Sequence, residues 1–121
     1  MKQNVILEKT VAFSVRISNL EKYLRMEKRE YEMSKQLLRC GTSIGANAHE
    51  AHHGQSRKDF LAKMYIAFKE TAETEYWLTV LTQTDYLTKE QGKSMMDDCL
   101  ELKRILASII KTTKEKEKER K

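Results

Sequence analysis

Between Met33 and Lys63 the chain reads MSKQLLRCGTSIGANAHEAHHGQSRKDFLAK, and within it Leu37, Cys40, Gly41, Ile44, Ala48 and Ala51 recur at steps that place them on one face of an α-helix. That face is narrow and low. Gly41, Gly45 and Ala48 carry little beyond backbone, so a second helix can come close along it, with Ile44 filling the space between. Two glycines inside a helix each cost roughly 1 kcal/mol against alanine, and close packing has to offset that cost. Gly41, Ile44, Gly45 and Ala48 are therefore the expected helix-packing residues, and helix-on-helix architecture is the expected outcome.

The rest of the composition agrees. There is no proline and there are only four glycines among 121 residues, with 40% hydrophobic and 34% charged, as in long uninterrupted helices. The length suits one domain with one core and leaves no room for a separate cofactor domain; no cofactor is expected. A net charge of +5 favours acidic partners such as RNA, DNA or a membrane surface over basic ones. Part of the excess sits in the last ten residues, where five basic and three acidic side chains leave +2. Cys40 and Cys99 fall on apolar helix faces, where a thiol behaves as a small hydrophobe in a reduced protein. The start, MKQNVILEKTVAF, lacks a signal-peptide core, and no stretch approaches the length of a membrane span, so the expected location is the cytoplasm.

Four helices are expected, at about 4–26, 31–53, 57–84 and 89–111, in a bundle spanning 1–111. The first has a seam of Ile6, Thr10, Phe13, Ile17, Leu20 and Leu24. Its end is unmarked: RMEKREYE holds no glycine, proline or cap. Yet an unbroken rod from Asn4 to His53 would run about 75 Å, too long for a compact domain, which places a turn near Glu27–Glu30. Gly54 should end the second helix in a left-handed conformation, with Ser56 capping the third and Asp59 completing the box. Thr88 and Gln91 form the same kind of cap for the fourth. Apolar residues on the third and fourth helices exceed what one bundle face needs, so part of their surface is expected between subunits. Of the adjacent Tyr76 and Trp77, one is expected to anchor that interface. Residues 112–121, without an apolar anchor, should fray.

Two groups of side chains suggest chemistry. His49-Glu50-Ala51-His52-His53 satisfies the H-E-x-x-H pattern, in which histidines at i and i+4 hold Zn²⁺ and the glutamate acts as base. His49 and His53, with Glu73, or else Glu70 or Glu75, as third ligand, would then serve a zinc-dependent hydrolase. The plainer reading is a set of rim histidines near a helix C-terminus, whose dipole favours their positive charge. Glu73 and Glu75, likewise, read as partners for basic groups on neighbouring helices. The second group is basic: Arg39, His49, His52, His53, Arg57, Lys58 and Lys63 fall around the second turn and would contact RNA or DNA phosphates without sequence preference.

The segments QLLRCGTSIGANAHEA (36–51), QSRKDFL (55–61) and AFKETAETEYWL (67–78), followed by the DYL turn and an amphipathic helix, resemble the four-helix-bundle family of 23S rRNA intervening-sequence proteins, related to the accessory bundle protein of diversity-generating retroelements. The resemblance implies an all-α, antiparallel up-down four-helix bundle, assembled as a homo-oligomeric ring that is typically a pentamer, without catalytic activity. It also implies that Glu50 ties the second helix to the loop after it. By analogy with the retroelement relatives, a basic surface repeated around the ring would meet nucleic acid. The chain departs from the family pattern at His49, where a small residue is usual, and at His52 and His53, where glycine or polar residues are usual. Three functions follow as expectations: a nucleic-acid-associated or scaffolding module, a zinc hydrolase, or a protein adaptor without nucleic-acid affinity.

Overall fold

The computed structural model describes residues 2–119, with side chains from Val5 onward. Four helices make up the ordered elements: α1 (Lys2–Met26), α2 (Met33–Ala51), α3 (Arg57–Gln83) and α4 (Lys89–Glu119). Each packs on two neighbours, α1 on α2 and α4, α3 on α2 and α4, so the helices stand in a square. Three short turns join consecutive neighbours, which gives an antiparallel up-down bundle. The N-terminus of α1, the α2–α3 turn and the end of α4 consequently share one end of the bundle.

The core follows the seams read from sequence. Ile6, Phe13, Ile17 and Leu24 of α1 meet Leu37, Ile44 and Ala48 of α2, with Met64, Ala67, Leu78 and Leu81 of α3 and Cys99, Leu102, Leu106 and Ile109 of α4 closing the interior. The small-residue face of α2 lies against α1. A Cβ on Gly41 would stand 2.9 Å from three carbons of Ile17, and one on Gly45 would stand 3.0 Å from Thr10 Cβ. Gly41 has no space for a side chain, and at Gly45 a methyl group fits only if Thr10 gives way.

Beside these carbons lies a narrow polar band. Thr74 Oγ1 donates to Cys40 Sγ at 3.4 Å, and Cys99 Sγ donates to the Thr71 carbonyl at 3.5 Å. Both thiols are free and buried. Burial raises the pKa of Cys40 and pushes Cys99 up to about 12, so neither is a nucleophile at neutral pH.

Several expectations need correction. The first turn falls at 27–32, and α2 begins at Met33 rather than Tyr31 because a glutamate caps it. Glu30, 7% exposed, accepts the backbone N–H groups of Glu32, Met33 and Ser34 at 3.2, 3.1 and 2.7 Å, while Ser34 Oγ donates back to the Glu30 carbonyl at 2.7 Å. Arg29 makes the reversal in left-handed geometry, with φ of 55°. Gly54 does not adopt a left-handed conformation. Its role is space: a Cβ there would lie 3.2 Å from the Ala51 carbonyl oxygen and from Asp59 Cβ. At the start of α3 half of the expected box forms, with Asp59 N–H on Ser56 Oγ at 3.0 Å, and at the start of α4 Thr88 and Gln91 are bonded reciprocally at 2.9 and 3.1 Å.

The charged tail continues α4 as far as Glu119 instead of fraying after Lys111; residues 120 and 121 lie outside the described residues. Alternating Lys and Glu are strong helix formers, and the segment is anchored on α3. Lys114 donates to the Tyr65 hydroxyl and lies 4.8 Å from the ring centroid, and Glu117 pairs with Arg57 at 3.3 Å. The expected surplus of apolar surface on α4 is reduced to the half-buried Leu100. Ile110 is buried, and Met96 and Ile105 pack on the core. Among the described residues the exposed large hydrophobics are instead Val5, Val11 and Val15 on α1, Met26 and Tyr31 near the first turn, and Tyr65, Ile66 and Tyr76 on α3.

Glu30→Ala removes three acceptor contacts at the start of α2 and should lower unfolding free energy by about 1–3 kcal/mol in chemical denaturation, with urea midpoints as the measure. A thiol protonated longer in the native than in the unfolded chain stabilises below its ordinary pKa and loses that contribution as pH rises. Cys99 should therefore make stability decline between about pH 9 and about 12, and Cys99→Ala should flatten that part of the pH profile.

Candidate nucleic-acid interface

The α2–α3 turn brings together most of the basic residues singled out in the sequence. Arg57 and Lys58 open α3 because Ser56 caps it there. His52 and His53 follow the last turn of α2, where their backbone N–H groups close on His49 and Glu50 carbonyls. His49, His53 and Lys63 line one groove between α2 and α3, together with Glu50 and Asp59. His52 and Arg57 line the adjoining cavity.

Arg39 does not belong to this group. It lies ten residues before His49, about 15 Å along the helix, and it is already engaged: Nη2 donates to Glu73, Nη1 lies 3.5 Å from Glu70, and Nε donates to Gln36 at 3.3 Å. Trp77 Nε1 donates to the same Glu73 carboxylate at 3.1 Å, while Tyr76, 58% exposed, stacks edge-on against Trp77. Glu75 pairs with Lys103 of α4 at 3.0 Å. The pairs of Arg39 with Glu70 and Glu73 and of Glu75 with Lys103 are helix-to-helix ties, as the plainer reading of Glu73 and Glu75 expected.

Each histidine occupies a distinct environment. His49 Nε2 lies 3.3 Å from the Leu7 carbonyl of α1, tying α2 across to its neighbour. His52 Nδ1 lies 2.8 Å from the Ala48 carbonyl, and its ring meets Phe60 edge-on at 5.5 Å. His53 is exposed. Glu50, the residue that would act as base in a zinc hydrolase, is paired with Lys63 at 3.0 Å, so it ties α2 to α3 rather than to the loop after α2. Glu73 serves Arg39 a long way from His49. The set His49, His53 and Glu73 is thus not assembled, and among the described residues no group of three or more His, Cys, Asp or Glu could hold a metal.

The structure adds residues that sequence reasoning set aside. Because α4 stays helical, Lys114, Lys116 and Lys118 run back beside the start of α3, with Lys116 lining the same cavity as His52 and Arg57. The alternating KEKEKE spacing, with oppositely charged residues three apart and good helix propensity throughout, is the sequence signal that points to them. The end of the bundle is basic but tempered: Glu50 and Glu117 occupy Lys63 and Arg57, while Lys58 and Lys116 are exposed.

No helix is long and apolar enough to cross a membrane among the described residues. No curated protein matches the chain. Among solved structures, it is similar to the crystal structure of a protein of unknown function from the S23 ribosomal protein family of Bacteroides thetaiotaomicron VPI-5482. The two share 54% identity and superpose with a TM-score of 0.91, over 92% of this chain and 99% of that one. Residues 2–108 match the family described as 23S rRNA-intervening sequence protein, and the chain belongs to that family.

Proposed function

We propose that this protein is a non-enzymatic four-helix bundle that assembles with copies of itself, as a ring of the pentameric kind, and presents a basic end to nucleic-acid phosphates. The observation that carries the reading is the meeting of three helix ends at one place: His52 and His53 from α2, Arg57 and Lys58 from α3, and Lys116 from α4. Contacts of this type are electrostatic and indifferent to sequence. Repetition around an assembly would multiply a modest patch into a strong one.

Self-association is supported by the apolar groove between α1 and α2, where Val11 and Val15, 53% and 56% exposed, flank Ala46 and Gly45. Isolated exposed valines are ordinary, but two on adjacent turns beside a strip of small residues offer a second helix a close-fitting seat. The adaptor reading, in which the bundle binds protein alone, is favoured by the carboxylates already neutralising Arg57 and Lys63.

Fluorescence anisotropy with mixed-sequence RNA separates the two. Affinity should fall by about tenfold or more between 50 and 200 mM salt, and Lys58→Ala with Lys116→Ala should weaken binding and reduce the salt slope by roughly two. No binding, or binding flat with salt, selects the adaptor. In sedimentation velocity at micromolar concentration the protein should run as an oligomer, and Val11→Glu with Val15→Glu should leave a folded single subunit. A wild-type monomer would contradict the assembly.

A further inference from the structure

Beside the α2–α3 turn lies a cavity of about 350 Å³, floored by Ala51 and Phe60 and rimmed by His52, Arg57, Thr113 and Lys116. Two of its nitrogens, His52 Nε2 and Arg57 Nη1, are buried and make no hydrogen bond. Both are held in place. His52 Nδ1 is fixed on the Ala48 carbonyl and the ring is braced by Phe60, so Nε2 cannot turn away to a partner elsewhere. Arg57 Nη1 stands 3.3 Å from Glu117 Oε2, an ion pair without the alignment of a hydrogen bond. A buried polar group without a partner costs about 1–3 kcal/mol, and native proteins keep few of them. His52 Nε2 is such a group, and the ion-paired Arg57 lines the same cavity.

We propose that this cavity is a binding site for a phosphate group. The inference rests on the basic end of the bundle used above, and it assigns that end a specific pocket rather than a diffuse patch. Three nitrogen-bearing side chains, one from each of α2, α3 and α4, call for a ligand with several acceptor oxygens spread in three dimensions. A phosphate supplies these, and the guanidinium fork matches its geometry. Arg57 and Lys116 repel metal cations. The 27-residue helix α3 starts at the cavity wall and adds the positive end of its dipole. With Nδ1 donating to Ala48, a neutral His52 offers a lone pair at Nε2, which accepts the hydroxyl of a phosphate monoanion; the imidazolium form instead donates to a phosphate oxygen. Either arrangement places one proton between ring and ligand and satisfies both.

The test is long-range ¹H–¹⁵N NMR of the histidine rings during titration with inorganic phosphate at constant ionic strength. His52 Nε2 should shift and saturate, while His49 and His53 stay put. Lys116→Ala, an exposed position that leaves the core untouched, should weaken the response about fivefold or more, and Arg57→Gln should abolish it. A His52 signal that moves no further than in matched chloride, or that responds equally in Lys116→Ala, would overturn the site. Oligonucleotides with a 5′-phosphate or a 5′-hydroxyl identify the source: a shift with the former alone indicates a terminal phosphate, a shift with both the backbone. RNA binding without any His52 response overturns the pocket and leaves the nucleic-acid reading intact. A phosphate response without RNA binding upholds the pocket and removes that reading.

Discussion

Ile17 and Thr10 of α1 rest on Gly41 and Gly45 of α2, with no room for a methyl group at Gly41 and only a tight fit for one at Gly45. A β-branched residue is stiff about its first side-chain torsion, so Ile17 cannot swing clear. The contact fixes both the spacing and the register of the two helices. Register then sets what else α1 and α2 can share. His49 reaches the Leu7 carbonyl, and Val11 and Val15 come to flank Ala46 on the outer side of the same groove. On the inner side, Ile44 and Ala48 join the common core. A looser α1–α2 pair would lose the small-residue groove and the packing behind it together.

What could be read from the sequence was whatever depends on periodicity or on a short-range cap. The four seams and the Ser56 and Thr88 starts are local patterns, and they stand where the residues put them. The first turn was not legible because its cap is Glu30, a residue type that rarely caps helices. It succeeds only because Arg29 adopts a left-handed conformation and brings the carboxylate over three free N–H groups. Gly54 misled for a related reason: glycine signals either left-handed backbone or tight space, and here it supplies the second. The tail of α4 has no apolar residue to signal its anchoring, which is polar: Lys114 and Glu117 find partners on α3.

The same distinction runs through the candidate site. Clustering around the α2–α3 turn was visible in the spacing of His49, His52, His53, Arg57, Lys58 and Lys63. The exclusion of Arg39 was not, because it follows from a carboxylate pair two turns along a different helix, Glu70 and Glu73. The H-E-x-x-H pattern was present in letters and absent in space. Its glutamate serves Lys63, and its first histidine serves a backbone carbonyl of α1. Motif spacing reports what one helix face offers, while the partners across the interface decide what that face does.

The most direct test is the sign of one substitution. In an exposed helix, glycine to alanine adds up to about 1 kcal/mol of stability. At Gly41 the new methyl would meet Ile17, so Gly41→Ala should instead lower unfolding free energy by about 1–3 kcal/mol in urea, and in an Ile17→Ala background that loss should vanish or reverse. A Gly41→Ala protein more stable than the parent would show that the close α1–α2 contact is not what holds the bundle in register.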